Sequence, residues 1–160
     1  MNLLRHRPIG LPSLALLLLA AGCSSADGGT SVVVPSPSGS VTKLCRNLDE
    51  ALPSTVDDLD RGDPSPASAL TAGWGNPAII LRCGVERPEK MSDENADAVE
   101  VDGVGWLLEE QDGGAFRFTT TLRRVYVEVT IPESRAGDGV APLVDLAPSV
   151  KKAIPEGVAD

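Results

Sequence analysis

Between Arg123 and Pro132 the chain alternates: Val125, Val127, Val129 and Ile131 fall on one side, and Tyr126, Glu128 and Thr130 on the other. An apolar stripe of period two marks a strand with one face on a core and the other on polar surroundings. Such a strand is stable only within a sheet whose apolar face is covered, so the rest of the chain must supply partner strands and a covering layer.

Three further segments read as strands. In Ile79–Val85, Ile79, Leu81, Cys83 and Val85 share a side. Val99–Gln111 is extended and interrupted at Asp102-Gly103. Ala115–Thr121 follows Asp112-Gly-Gly114, a strong hairpin signal. Two segments carry helical spacing. Val41, Leu44, Cys45, Leu48 and Leu52 line one stripe of Ser40–Leu52, with Ser40 as N-cap and Pro53 as the stop. Val140, Leu143, Val144, Ala147, Val150 and Ile154 do the same in Val140–Ile154, where Pro148 is expected to kink or split the helix. Ser54–Gly73 reads as loop with a short helix near Ala67–Ala72, and Glu86–Ala98 as an acidic loop. Strands in sequence joined by short turns favour an antiparallel sheet. The expected class is α+β: about four strands, with two helices packed on one face. Aromatics make up only 3%, so Val, Leu, Ile and Ala must fill the core.

The first residues follow a different plan. Met1–Arg7 is short and positive, Ile9–Leu19 is apolar, and Ala20-Ala-Gly22 leads to Cys23. That is the three-part layout of a secretory signal, and its apolar run falls short of the ~20 residues that span a bilayer. Leu19-Ala-Ala-Gly-Cys23 resembles the bacterial lipobox, which implies cleavage before Cys23 and lipid on its thiol. In the commonest form of that motif Leu stands where Ala20 stands here. The expected organisation is therefore a signal peptide over 1–22, a lipidated Cys23 with a Ser/Gly/Pro-rich tether over 23–40, and a single domain over 41–160. The tether composition would span roughly 20–25 Å on average. The expected location is the outer face of the cytoplasmic membrane, with the lipid membrane as first partner through acylated Cys23.

If Cys23 carries lipid, Cys45 and Cys83 remain. Both sit on apolar stripes, one helical and one extended, so a helix laid on the sheet brings the sulfurs together. An oxidising compartment then favours a disulfide. The alternative is two buried free thiols acting as small hydrophobes.

Charge narrows the partners. The net charge is −9, and without residues 1–22, which hold Arg5 and Arg7 and no acid, it becomes −11. An acidic surface repels nucleic acid, so no DNA or RNA partner is expected. The one histidine is His6, in the leader. The remainder therefore lacks Ser–His and Cys–His nucleophile pairs and the usual zinc ligand sets. Gly103, Gly105, Gly113 and Gly114 do not have phosphate-loop spacing. No cofactor and no metal site is expected. Glu109, Glu110 and Glu128 are placed to share a sheet face with Arg82, Arg117 and Arg124, as a solvated polar face with cross-strand ion pairs. Asp57, Asp58, Asp60 and Asp63 crowd one loop without EF-hand order. Trp74 and Trp106 read first as packing residues. An exposed Trp74 beside Pro77 is the alternative, as an anchor for a protein partner.

Several of these segments together resemble a family of actinobacterial envelope proteins, domain of unknown function 3515. The matching stretch is Trp74-Gly-Asn-Pro-Ala-Ile-Ile-Leu-Arg-Cys-Gly-Val85. It is supported by Val101-Asp-Gly-Val-Gly-Trp106, Phe118-Thr-Thr120, Tyr126-Val-Glu-Val129 and Cys45-Arg-Asn-Leu48. The family pattern has a glycine near Leu122 that this chain lacks. The resemblance implies a membrane-associated location and no particular reaction. The functional expectation is a non-catalytic envelope lipoprotein that engages a protein partner. The alternatives are a small-ligand or cation-binding lipoprotein and, more weakly, a carboxylate-based hydrolase.

Overall fold

The computed structural model describes residues 30–76 and 79–159. The leader, Cys23 and Pro77 lie outside the described residues.

Helix α1, Gly39–Ala51, starts after Ser38, whose carbonyl accepts the Thr42 N–H and hydroxyl. Leu52 is already extended ahead of Pro53, as a residue before proline prefers. A small hairpin follows, β1 Thr55–Val56 and β2 Leu59–Asp60, turning on Asp57 and Asp58 with positive φ. The main strands are β3 Thr71–Trp74, β4 Ile79–Cys83, β5 Ala98–Val101, β6 Val104–Glu110, β7 Phe116–Thr121 and β8 Val127–Ile131. Helix α2 spans Ala141–Ala153.

The six strands form one antiparallel sheet in the order β3-β4-β8-β7-β6-β5. Six strands replace the expected four for two reasons. Asp102-Gly103 is a two-residue turn that folds Val99–Gln111 back on itself as β5 and β6. The segment expected to hold a short helix near Ala67–Ala72 becomes β3, because Ala72 and Trp74 complete the core face beside Leu81 and Ile79.

Cross-strand register sorts the side chains. Trp74, Ile79, Leu81, Cys83, Val127, Val129, Ile131, Phe118, Trp106, Val104 and Val101 share the first face. Both helices cover it, through Cys45 and Leu48 of α1 and Leu143, Leu146, Ala147 and Val150 of α2. The Ser149 hydroxyl joins the helices by donating to the Ala51 carbonyl at 2.7 Å. Pro148 lies inside α2 on its exposed side and does not split it. The Cys45–Cys83 disulfide fastens α1 to the end of β4, with Cα atoms 5.5 Å apart.

Strands β4 and β5 run parallel at the second and sixth positions, so the connection from Gly84 to Asp97 must cross the sheet. The helices occupy the first face, which leaves the second for this passage. There Leu107 and Thr119 are buried although they point away from the helices.

The two sheet edges differ. Beyond β3, Gly62 N–H donates to the Gly73 carbonyl at 2.8 Å and Gly75 N–H to the Asp60 carbonyl at 3.0 Å, so the β2 end of the hairpin covers that edge. Among the described residues, no strand pairs with the outer side of β5.

Candidate functional site

Beside the open β5 edge lies a groove of about 640 Å³. Its floor is the cross-strand row Glu100, Gly105 and Thr121, contributed by β5, β6 and β7. Gly105 keeps the floor low: a Cβ there would stand 2.3 Å from the Thr121 hydroxyl oxygen. Leu122–Arg123 and Glu156–Val158, two segments paired with each other, complete its lining.

The edge has defined polarity. Asp102 and Gly103 both have positive φ, the two-residue turn that leaves its flanking pair, Val101 and Val104, facing each other through hydrogen bonds. At the far end Leu108 N–H donates to the Asp97 carbonyl at 2.8 Å. Antiparallel pairing alternates, so Asp97, Val99 and Val101 bond inward to β6. The backbone N–H and C=O of Ala98 and Glu100 therefore point outward from the sheet.

Arg123 builds the wall. Its guanidinium is 5% exposed and donates to the Ile154 carbonyl at 3.1 Å and the Gly103 carbonyl at 3.0 Å, with Glu156 Oε1 at 3.6 Å. One cation thus joins the β5–β6 turn, the end of α2 and the loop after β7. Arg124 N–H to Pro155 C=O and Gly157 N–H to Leu122 C=O, each 3.0 Å, hold the C-terminal tail against that loop. Leu122 is held at φ +53, a region that costs an L-residue roughly 1–2 kcal/mol, and its side chain is 78% exposed. Val158 is 79% exposed. Sequence reasoning did not find this site. Its available signal was Leu122 itself, an apolar residue ahead of two arginines and outside the alternation that starts at Val125.

The expected polar face is only partly assembled. Glu109, Glu128, Arg82 and Arg117 share the second face, where Arg82 holds Glu128 through two bonds of 2.8 and 3.0 Å and Arg117 Nε stands 3.5 Å from Glu128 Oε2. Glu110 pairs with Phe116 on the other face, and Arg124 lies outside the strands. Glu109 Oε2, Arg117 Nε and Thr119 Oγ1 are buried without a hydrogen-bond partner. This cluster is not in the groove; Glu109 pairs across strands with Arg117 and Glu128 with Arg82, in two neighbouring rows.

Of the four aspartates that crowd the loop at 57–63, Asp57 and Asp63 are held by arginines. Arg61 binds Asp49 and Asp63, and Arg135 binds Asp57 at 2.9 Å. Burial pushes the Asp57 carboxyl above its ordinary value, helped by the nearby Asp138 charge and partly offset by Arg135. Among the described residues, no group of three or more His, Cys, Asp or Glu side chains is arranged to hold a metal ion. No helix among them is long and apolar enough to cross a membrane.

Trp74 and Trp106 are fully buried. The Trp74 indole N–H donates to the Pro53 carbonyl at 3.2 Å. The reading of Trp74 as an exposed anchor is corrected accordingly: its indole offers a partner no surface, because the first face needs it to fill the space between β3 and the helix layer.

The fold and site define a disulfide-fastened α+β domain with one covered and one open sheet edge. The chain belongs to the family described as Protein of unknown function (DUF3515), whose model matches residues 9–158. It is also similar to mouse podocalyxin-like protein 2, 31% identical over 145 residues that make up 90% of this chain and 22% of that protein. The chain thus spans about a fifth of that relative's length. No solved structure matches.

Proposed function

We propose that this protein is a membrane-anchored, non-catalytic interaction module of an actinobacterial cell envelope, held by lipid on Cys23 and presenting its open sheet edge to a protein partner. One observation carries the interaction reading. Leu122 and Val158, two large apolar side chains more than three-quarters exposed, line one groove on adjoining hydrogen-bonded segments, beside a strand whose outer edge has no partner among the described residues. Exposed apolar groups gathered at one place mark interaction surfaces more often than those scattered singly. The anchor reading is supported by the Met1–Cys23 layout, which pairs an apolar run with a cysteine at its end.

The small-ligand alternative has less support: neither tryptophan lines the groove. The hydrolase alternative has the Glu109–Glu128 cluster, but Glu128 is held by Arg82 and stands 3.5 Å from Arg117, so it is occupied as an ion-pair partner.

Two experiments test the proposal. Radiolabelled palmitate is expected to enter the wild type and not Cys23→Ser; equal labelling removes the anchor. A photocrosslinker at position 122 in living cells is expected to trap one discrete protein product, and a crosslinker at exposed Glu94 is not. An identical product pattern from both positions removes the interaction site.

A further inference from the structure

We infer that the groove and the β5 edge together bind an extended, basic segment of another polypeptide, which adds to the sheet as a seventh strand beside β5. This inference rests on the interaction-module reading and names its site and partner chemistry.

The backbone supplies the first argument. Ala98 and Glu100 present outward N–H and C=O groups, and strand addition is the binding mode that satisfies such groups. The opposite edge, at β3, is already capped by Asp60–Gly62, so the fold protects one edge and leaves the other. Position adds to this. The described chain begins at Thr30, which bonds to Ser65 on the β3 side, whereas β5 lies five strand spacings away, about 24 Å at roughly 4.8 Å each. The described part of the N-terminal approach, from Thr30 on, therefore lies on the β3 side and leaves the β5 edge uncovered.

The groove supplies the second argument. A strand beside β5 projects alternate side chains over the second face, where Gly105 and Ala98 leave room and Leu122 and Val158 offer apolar contact. Leu122 also holds an unfavourable φ, and strained exposed residues gather where a surface is used.

Charge decides the occupant. Glu100 and Glu156 line the groove as exposed carboxylates, Glu156 with 82% of its side chain in solvent. The one cation in the lining, Arg123, is buried, donates to the Ile154 and Gly103 carbonyls and stands 3.6 Å from Glu156, so Glu100 is the lining carboxylate with no ion pair among the described residues. A segment alternating Lys or Arg with apolar residues satisfies edge, groove and charge together. A second copy fits less well, since each chain without its leader carries net −11.

The test uses the full chain in detergent micelles and a fluorescent ten-residue peptide alternating Lys and Val. Two controls accompany it: the Glu/Val counterpart, and the Lys/Val peptide N-methylated at alternate residues so that it cannot pair with an edge. The Lys/Val peptide is expected to bind at least tenfold more tightly than either control, and to slow hydrogen exchange at the Ala98 and Glu100 amides. Leu122→Gly and Glu100→Lys are each expected to weaken it at least tenfold, with the thermal midpoint unchanged or, for Leu122→Gly, raised. Equal binding of the N-methylated peptide overturns strand addition, and equal binding of the Glu/Val peptide overturns the charge assignment. Sedimentation showing a dimer that the peptide does not dissociate overturns the inference in favour of a second copy. Should a discrete crosslink form at position 122 while all peptides fail to bind, the interaction module stands and strand addition falls.

Discussion

Arg82 and Glu128 face each other across β4 and β8, joined by two hydrogen bonds, with the glutamate side chain 8% exposed. A buried carboxylate that loses its guanidinium keeps its desolvation cost without the compensating attraction. Arg82→Met is therefore expected to destabilise the domain by about 2–4 kcal/mol, since Arg117 alone remains near Glu128. The double change Arg82→Met with Glu128→Leu is expected to cost less than the two single changes added. Urea unfolding of the four proteins measures the coupling; strictly additive effects would show that the two side chains do not act as a pair.

The disulfide gives a second expectation. Closing 38 residues restricts the unfolded chain, so replacing Cys45 and Cys83 with alanine is expected to lose roughly 3–4 kcal/mol. The intact protein is also expected to weigh two hydrogens less than its reduced form. A thiol titration that finds two free groups in the native protein would contradict the bond.

Acid titration isolates Asp57. Its folded carboxyl binds a proton more readily than the ordinary value of 3.8, because burial and Asp138 both disfavour the charge. Between that value and the raised one, the folded state holds more proton than the unfolded state. Stability contributed by this group is therefore greater at the acid end and falls as pH rises through the window. Asp57→Asn, which tolerates the positive φ at this position, is expected to match or exceed wild-type stability at pH 7. Any such gain should vanish below pH 3.8. Thermal midpoints at pH 7 and pH 3 check this, and a variant markedly less stable at pH 7 alone reverses the sign.

Pro148 stands in the eighth position of α2, exposed, where it cannot donate to the Val144 carbonyl. Pro148→Ala restores that hydrogen bond without touching the core and is expected to stabilise the domain by about 1–3 kcal/mol. Chemical denaturation reads it directly. A loss of stability would mean that α2 depends on the bend proline imposes.

Periodicity carried most of the architecture. The Val125–Ile131 alternation and the two helical stripes were legible because burial on one face leaves a regular mark on sequence. Two features were not. Thr71–Trp74 puts only Ala72 and Trp74 on the core face, with Gly73 between them, so its alternation is too short to separate from loop. Asp102-Gly103 looked like an interruption, and only pairing between Val101 and Val104 shows it to be a turn. The groove was hidden for a related reason. Its lining comes from β5, β6, β7, the following loop and the tail, and adjacency of that kind exists only once the register is set. The Cys45–Cys83 pair, by contrast, was legible from the facing stripes, since both cysteines belong to the core they help to build.

The place of that bond has a mechanical consequence. When the chain is tugged at its N-terminal side, the helical turns ahead of Cys45 can unravel, but at Cys45 the load passes through sulfur to Cys83. Everything from Arg46 to Arg82, including the small hairpin and β3, is thereby removed from the path of force. The tension enters β4, a strand flanked by neighbours on both sides, and yielding there requires the hydrogen bonds of both flanks to give way. A domain held at its N-terminal side and gripped along β5 would thus resist tension with its whole sheet, not with its first helix.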